Sequence, residues 1–253
     1  MALPFSDGSP VSKSSPIEIA RTYVEQHHPG ASASILGGSA AAGTTMSTSD
    51  LDIAVLYPSG HSNYAATTRF RGWLVEEFVH THEILEFWYQ KEAAERRPVI
   101  PDLCARGILL TDNGTGRQLQ KQAREHMAQG PKVLEDSERS FRRYNLSALI
   151  DDLVGSQDNA ERFAVSSDVF RDAAELFLLE SGSWLGSGKW TIRRLHLNGS
   201  ELALRLCSWA EDSGRNTESL VGLAREVLDL SGGYIQEGFI RGQRNERADP
   251  LET

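Results

Sequence analysis

Two kinds of hydrophobic periodicity divide this chain: short apolar runs mixed with helix-period segments up to about residue 130, and an almost purely helical pattern from Glu135 onward. Ile17, Ile19, Ala20, Tyr23 and Val24 recur at helical spacing, predicting a helix over 17–28 that Pro29-Gly30 ends. Residues 32–36 read as a short strand running into Gly37-Gly38-Ser39, with a helical turn over 40–42. Leu51 to Tyr57 is a strongly apolar strand. Residues 63–71 read as a helix stopped by Gly72, and 73–81 as a third strand. Ile84, Leu85 and Trp88 then predict a helix over 82–94, followed by a short strand at 107–111 and a helix at 116–129.

After Gly130-Pro131 the helical pattern is broken only at Gly155, over 182–188 and at Ser213-Gly214. The expected organisation is therefore α+β: a mixed-sheet domain over 17–130, then an all-α helical bundle over 131–241. Residues 1–16, rich in Ser and Pro, read as a disordered lead-in, and 242–253 as a loose charged tail. The lead-in lacks the basic-then-apolar order of a signal peptide, and no apolar run approaches the ~20 residues that span a bilayer. A cytoplasmic protein is expected. Cys104 and Cys207 stand far apart in apolar helical surroundings, so both are expected as buried free thiols.

Charge changes the picture of the partners. The chain carries 26 basic and 35 acidic residues, a net charge of −9. Its basic clusters, Arg96-Arg97, Arg142-Arg143 and Arg193-Arg194, are each only two residues long. Such a chain repels nucleic-acid phosphates and suits a cationic small molecule better.

The chemistry-bearing segment runs from Gly37 to Val55. Asp50 and Asp52 open the second strand, where a side-chain period of two aims both carboxylates to one side while Leu51 and Ile53 point into apolar packing. Two carboxylates this close repel each other unless cations sit between them, and magnesium, a hard ion that takes oxygen ligands and substrate phosphates, is the natural candidate. Gly37-Gly38 lets backbone amides approach a phosphate without a Cβ in the way, and Ser39 adds a hydroxyl donor. A third carboxylate is expected from the neighbouring strand. Glu76 and Glu77 point to opposite faces there, and periodicity does not choose between them.

Gly-Gly-Ser, eleven residues from Ser39 to Asp50, and then Asp-Leu-Asp resemble the nucleotidyltransferase superfamily that includes DNA polymerase beta. The chain is most similar to its antibiotic-modifying branch, the aminoglycoside and lincosamide nucleotidyltransferases; the strand from Gly72 to Thr81 carries the likeness further. The resemblance implies a mixed α/β catalytic domain followed by a helical bundle. It implies that Asp50 and Asp52 hold two magnesium ions, that Gly38 and Ser39 bind the triphosphate of ATP or another NTP, and that Glu76 completes the metal site or acts as general base. Lys189, after a long helix, stands where that branch often supplies a phosphate-binding lysine. The implied activity is transfer of a nucleoside monophosphate, AMP first, to a hydroxyl of a small molecule such as an aminoglycoside. A protein-modifying antitoxin-type transferase and an inactive nucleotide-binding relative are the alternatives.

Other features have plainer readings. Gly188-Lys189 does not form a P-loop, because Ser183 and Trp190 stand where that motif needs Gly and Ser or Thr. His80 and His82 read as rim residues without a further metal ligand at suitable spacing, and His27-His28 as a helix end whose dipole favours imidazolium. Asp151-Asp152 reads as a solvated helix face, and Trp184, Trp190 and Trp209 as core packing.

Overall fold

The computed structural model describes residues 15–46 and 48–242; the lead-in before Ser15 and the tail beyond Gly242 lie outside the described residues. By packing, the chain divides into two compact units. One holds the described residues through Glu92 together with Val99–Gln129, and the other holds Ala93–Pro98 and the described residues from Gly130 on.

In the first unit, helix α1 (Pro16–His27) starts one residue before the predicted helix because Ser15 caps it. The Ser15 hydroxyl accepts from the Glu18 amide at 3.2 Å while the Glu18 carboxylate accepts from the Ser15 amide at 2.8 Å, a reciprocal capping box. Strand β1 (Ala33–Leu36) leads into the four-residue helix α2 (Gly38–Ala41), and strand β2 (Leu51–Tyr57) follows. Next come strands β3 (Tyr64–Phe70) and β4 (Trp73–Thr81), then helices α3 (His82–Ala94) and α4 (Ile100–Arg106). Strand β5 (Ile108–Asp112) and helix α5 (Gly116–Gln129) close the unit.

The five strands form one mixed sheet in the order β3-β4-β2-β1-β5, with β2 and β4 parallel and the other pairs antiparallel. Strand alternation divides the core. Leu51, Ile53, Val55, Val75 and Val79 pack beneath Ile19, Ala20, Tyr23 and Val24 of α1. Ala33, Ile35, Ala54 and Leu56 on the opposite face pack against α3, α4 and α5 through Leu85, Tyr89, Leu103, Cys104 and Leu119. Both cysteines are free and buried, and burial pushes the Cys104 thiol up to about 12.

Residues 63–71 contradict the expected helix. They hold β3, an edge strand paired with β4 from Tyr64↔Val79 to Phe70↔Trp73. Arg71 (φ 48°) and Gly72 (φ 88°) lie between the paired ends. Two consecutive positive φ values are those of a type I′ turn, whose twist matches a two-residue hairpin. Gly72 is thus the second residue of that turn and not a helix stop.

The second unit is built on helices α6 (Asp136–Gly155), α7 (Asn159–Glu180), α8 (Lys189–Asn198), α9 (Glu201–Glu211) and α10 (Thr217–Leu230). Leu146, Ile150 and Leu153 form one helical stripe on α6 and share a core with Val169, Leu176, Leu195, Leu206, Leu220 and Val227. Arg96 anchors the short piece of earlier sequence in this unit. Its guanidinium grips both Glu138 oxygens at 2.8 and 2.9 Å and donates to the Lys132 carbonyl, and its own carbonyl accepts from the Leu185 amide. Among the described residues no helix is long and apolar enough to cross a membrane.

Candidate functional site

The first unit gathers three acids at one end of the sheet. Asp50 immediately precedes β2 and Asp52 is its second residue, so both project from the α3–α5 face while Leu51 and Ile53 are fully buried beneath α1. The parallel register pairs Asp52 with Glu76, which places their side chains next to each other on one face. One carboxylate oxygen from each of Asp50, Asp52 and Glu76 lies within 4.8 Å of the other two, and all three residues are half-buried. Three hard oxygen donors at that separation suit a divalent cation with oxygen ligands, so the donor set fits magnesium.

The turn after β1 is built against this cluster. The Gly37 amide donates to the Asp52 carbonyl at 2.8 Å. Gly38 has φ 61°, and a Cβ at that position would stand 1.8 Å from Asp52 Oδ2, so both conformation and space require glycine. Ser39 follows, half-buried, in α2, whose first turn has no capping side chain. Asp50, Asp52, Glu76, Gly38 and Ser39 therefore fall within one neighbourhood. Lys189 is in the second unit, exposed, as the first residue of α8 after Gly188 at φ 54°.

Glu77 has a different environment. It projects from the α1 face, is 6% exposed, and its Oε2 accepts from the Tyr23 hydroxyl at 2.6 Å and from His28 Nε2 at 2.7 Å. His28 Nδ1 in turn faces the Tyr57 hydroxyl at 3.1 Å. Burial first, and then the Glu77 carboxylate, hold the Tyr23 phenol well above its ordinary pKa, so it stays protonated and donates. The register that the strand period left open is thus fixed: Glu76 faces the acids, and Glu77 is an internal hydrogen-bond acceptor.

Two plainer readings change as well, and two gain detail. His28 does sit at the end of α1, as its C-cap, and there it is 5% exposed and the buried partner of Glu77. His80 is not a rim residue. It is 6% exposed, its Nδ1 has no hydrogen-bond partner among the described residues, and burial lowers its pKa; His82 beside it is exposed. Asp151 and Asp152 are exposed on α6, as read; Asp151 also accepts from the Tyr234 hydroxyl at 2.5 Å and from Gln236 at 2.7 Å in the segment after α10. Of the tryptophans, Trp184 and Trp209 are buried, whereas Trp190 is half-buried with the Arg193 guanidinium over its ring. Reading 63–71 as a helix also hid Thr67 and Arg69, which β3 places on the face of Glu76. The β-branched pair Thr67-Thr68 between Tyr64 and Phe70, followed by a two-residue turn containing Gly, was the available signal.

Residues 17–104, which include all three acids and the glycine turn, match the nucleotidyltransferase domain family. No curated protein matches the chain. Among solved structures, a nucleotidyltransferase-like protein from Exiguobacterium sibiricum 255-15 is 15% identical, covers 85% of this chain and 74% of its own, and superposes with a TM-score of 0.39. With this domain on its N-terminal side, the α+β chain is a nucleotidyltransferase enzyme.

Proposed function

We propose that the enzyme moves a nucleoside monophosphate, AMP from ATP, onto a hydroxyl of a small molecule and releases pyrophosphate. The observation that carries this reading is the convergence of Asp50, Asp52 and Glu76 within 4.8 Å, on a domain of the matching family. Asp50 and Asp52, with Glu76, would hold magnesium, two ions in the full site, which when bound neutralises the polyphosphate and stabilises attacking and leaving oxygens.

The chain's own groups have separate tasks. Gly38 brings backbone to the phosphates without a side chain in the way, and the Ser39 hydroxyl donates to the same anion. The acceptor oxygen attacks the α-phosphorus in line, the new O–P bond forms, and the bond to the β-phosphate oxygen breaks. Glu76 either holds the metal or takes the proton from the attacking hydroxyl. Lys189, carried over on the resemblance alone, is proposed as a second phosphate-binding group, and Lys189→Ala should raise the KM for ATP.

The test pairs each of four NTPs with a panel of hydroxylated acceptors and weighs the products. Aminoglycosides enter that panel first, because the resemblance points to them and the net charge of −9 suits a cation. A mass gain of one nucleotide residue identifies base and acceptor together. Asp50→Asn should abolish transfer while leaving the circular dichroism and melting temperature unchanged; undiminished pyrophosphate release by that variant would refute the assignment.

A further inference from the structure

Arg69 is the sole Lys or Arg within the five strands. It sits at the end of the sheet where the acids converge. Thr67 pairs with Glu76 across β3–β4, and Arg69 pairs with Leu74. Cross-strand partners share a face, so Thr67, Arg69 and Leu74 project to the side of Glu76 and Asp52. The parallel register begins at Leu51↔Val75, and continued one residue further back it sets Asp50 level with Leu74 and hence with Arg69. Neighbouring strands lie about 4.8 Å apart. Arg69 is thus a guanidinium about two strands from Asp50 and one from Glu76, yet its side chain makes no ion pair or hydrogen bond among the described residues. An arginine this near three carboxylates but bound to none is available to an anion from outside.

The sheet order indicates which anion. Across the face, the sequence of groups is the Gly38–Ser39 turn after β1, then Asp52 on β2, Glu76 on β4, and Thr67 with Arg69 on β3. In-line displacement puts the entering and leaving oxygens on opposite sides of phosphorus. If the leaving pyrophosphate rests on the Gly38–Ser39 side, the attacking hydroxyl arrives over Glu76 and β3. We propose that Arg69, with the Thr67 hydroxyl beside it and Leu74 as a half-open apolar neighbour, receives the acceptor, and that this acceptor bears a phosphate or carboxylate next to the hydroxyl that attacks. The inference rests on the transfer reading above and narrows it: the charge at this edge is opposite in sign to the net charge of the chain.

The full chain, with ATP and Mg²⁺, is offered glycerol, glycerol 3-phosphate, glycerate and kanamycin A, and adducts and pyrophosphate are quantified. Wild type should prefer one of the two anionic acceptors over glycerol by about tenfold or more in kcat/KM, and comparing them separates phosphate from carboxylate. That ratio should fall by at least about tenfold in Arg69→Glu and be partly retained in Arg69→Lys, which keeps the charge but loses the planar fork. Arg69 is exposed on an edge strand, so both variants should melt with the wild type. A wild type that prefers kanamycin A or glycerol, or an Arg69→Glu variant with an unchanged ratio, overturns this inference alone. Absence of pyrophosphate release in every wild-type arm overturns the transfer reading and this inference with it.

Discussion

Replacing Glu77 separates a structural acid from the reacting one beside it. Glu77→Ala removes the acceptor of two bonds, from the Tyr23 hydroxyl and from His28 Nε2, and leaves both donors inside the α1–sheet interface, where Tyr23 is 2% exposed. A buried donor without its partner costs about 1–3 kcal/mol. Two such donors bring the loss to about 2–6 kcal/mol. Domain stabilities are about 5–15 kcal/mol, so the variant should unfold early or be unfolded at 37 °C. Glu77→Gln keeps an oxygen for the same donors and should lose less, about 1–2 kcal/mol. Urea titration followed by circular dichroism and by tryptophan emission measures both. Glu76→Gln provides the contrast: its urea midpoint should stay near wild type while transfer falls about 10²–10⁴-fold if it serves as the base. A Glu77→Ala protein within about 1 kcal/mol of wild type would refute the reasoning. So would a folded Glu77→Gln protein without transfer alongside an active Glu76→Gln, an outcome that exchanges the two assignments.

Two further outcomes are expected. In Gly38→Ala, the new methyl meets Asp52 Oδ2 at 1.8 Å and the residue is held at φ 61°; left-handed strain alone costs about 1–2 kcal/mol. Transfer should therefore fall more than the melting temperature, which should drop by about 2–8 °C, and full activity at an unchanged melting temperature would contradict the packing described. His80 gives a pH dependence. Burial lowers its folded pKa below 6.5, so as pH falls the unfolded chain takes up the proton first. The stability of neutral, buried His80 is fully present above pH 6.5 and declines as pH drops from there toward the folded pKa, by up to about 1.4 kcal/mol per pH unit. His126 shifts in the same direction, so the urea midpoint between pH 7.5 and 5.5 is compared with that of His80→Phe. A variant whose pH profile parallels wild type would remove His80 as a source.

What the sequence discloses follows from how far each determinant lies from its residue. Asp50 and Asp52 are legible because their common face depends on a period of two over three residues, and β2 is bounded by its own apolar run. Strand β3 is not. Six of its seven residues are exposed, so it lacks the apolar alternation that marks a strand with one buried face. Its identity depends on pairing with β4 and on positive φ at Arg71 and Gly72. Ala93–Pro98 carries no local sign that it packs with later sequence, since the groups holding Arg96 are at Lys132, Glu138 and Leu185.

The adjacent acids Glu76 and Glu77 show why such a site cannot be read from one strand alone. Shifting β4 by one residue would exchange the faces of every side chain on it. Glu77 would then face Asp52, and the site would still present a glutamate there. What makes that shift costly lies elsewhere: Val75 and Val79, both fully buried under α1, would be driven out, and the Tyr23 and His28 donors would lose their carboxylate. The hairpin turn at Arg71-Gly72 sets β3 and β4 in the same alignment from the other side. The carboxylate that faces the acidic cluster is therefore chosen mainly by contacts on the opposite surface of the sheet. A substitution under α1 can then reduce transfer without touching any group that meets the substrate.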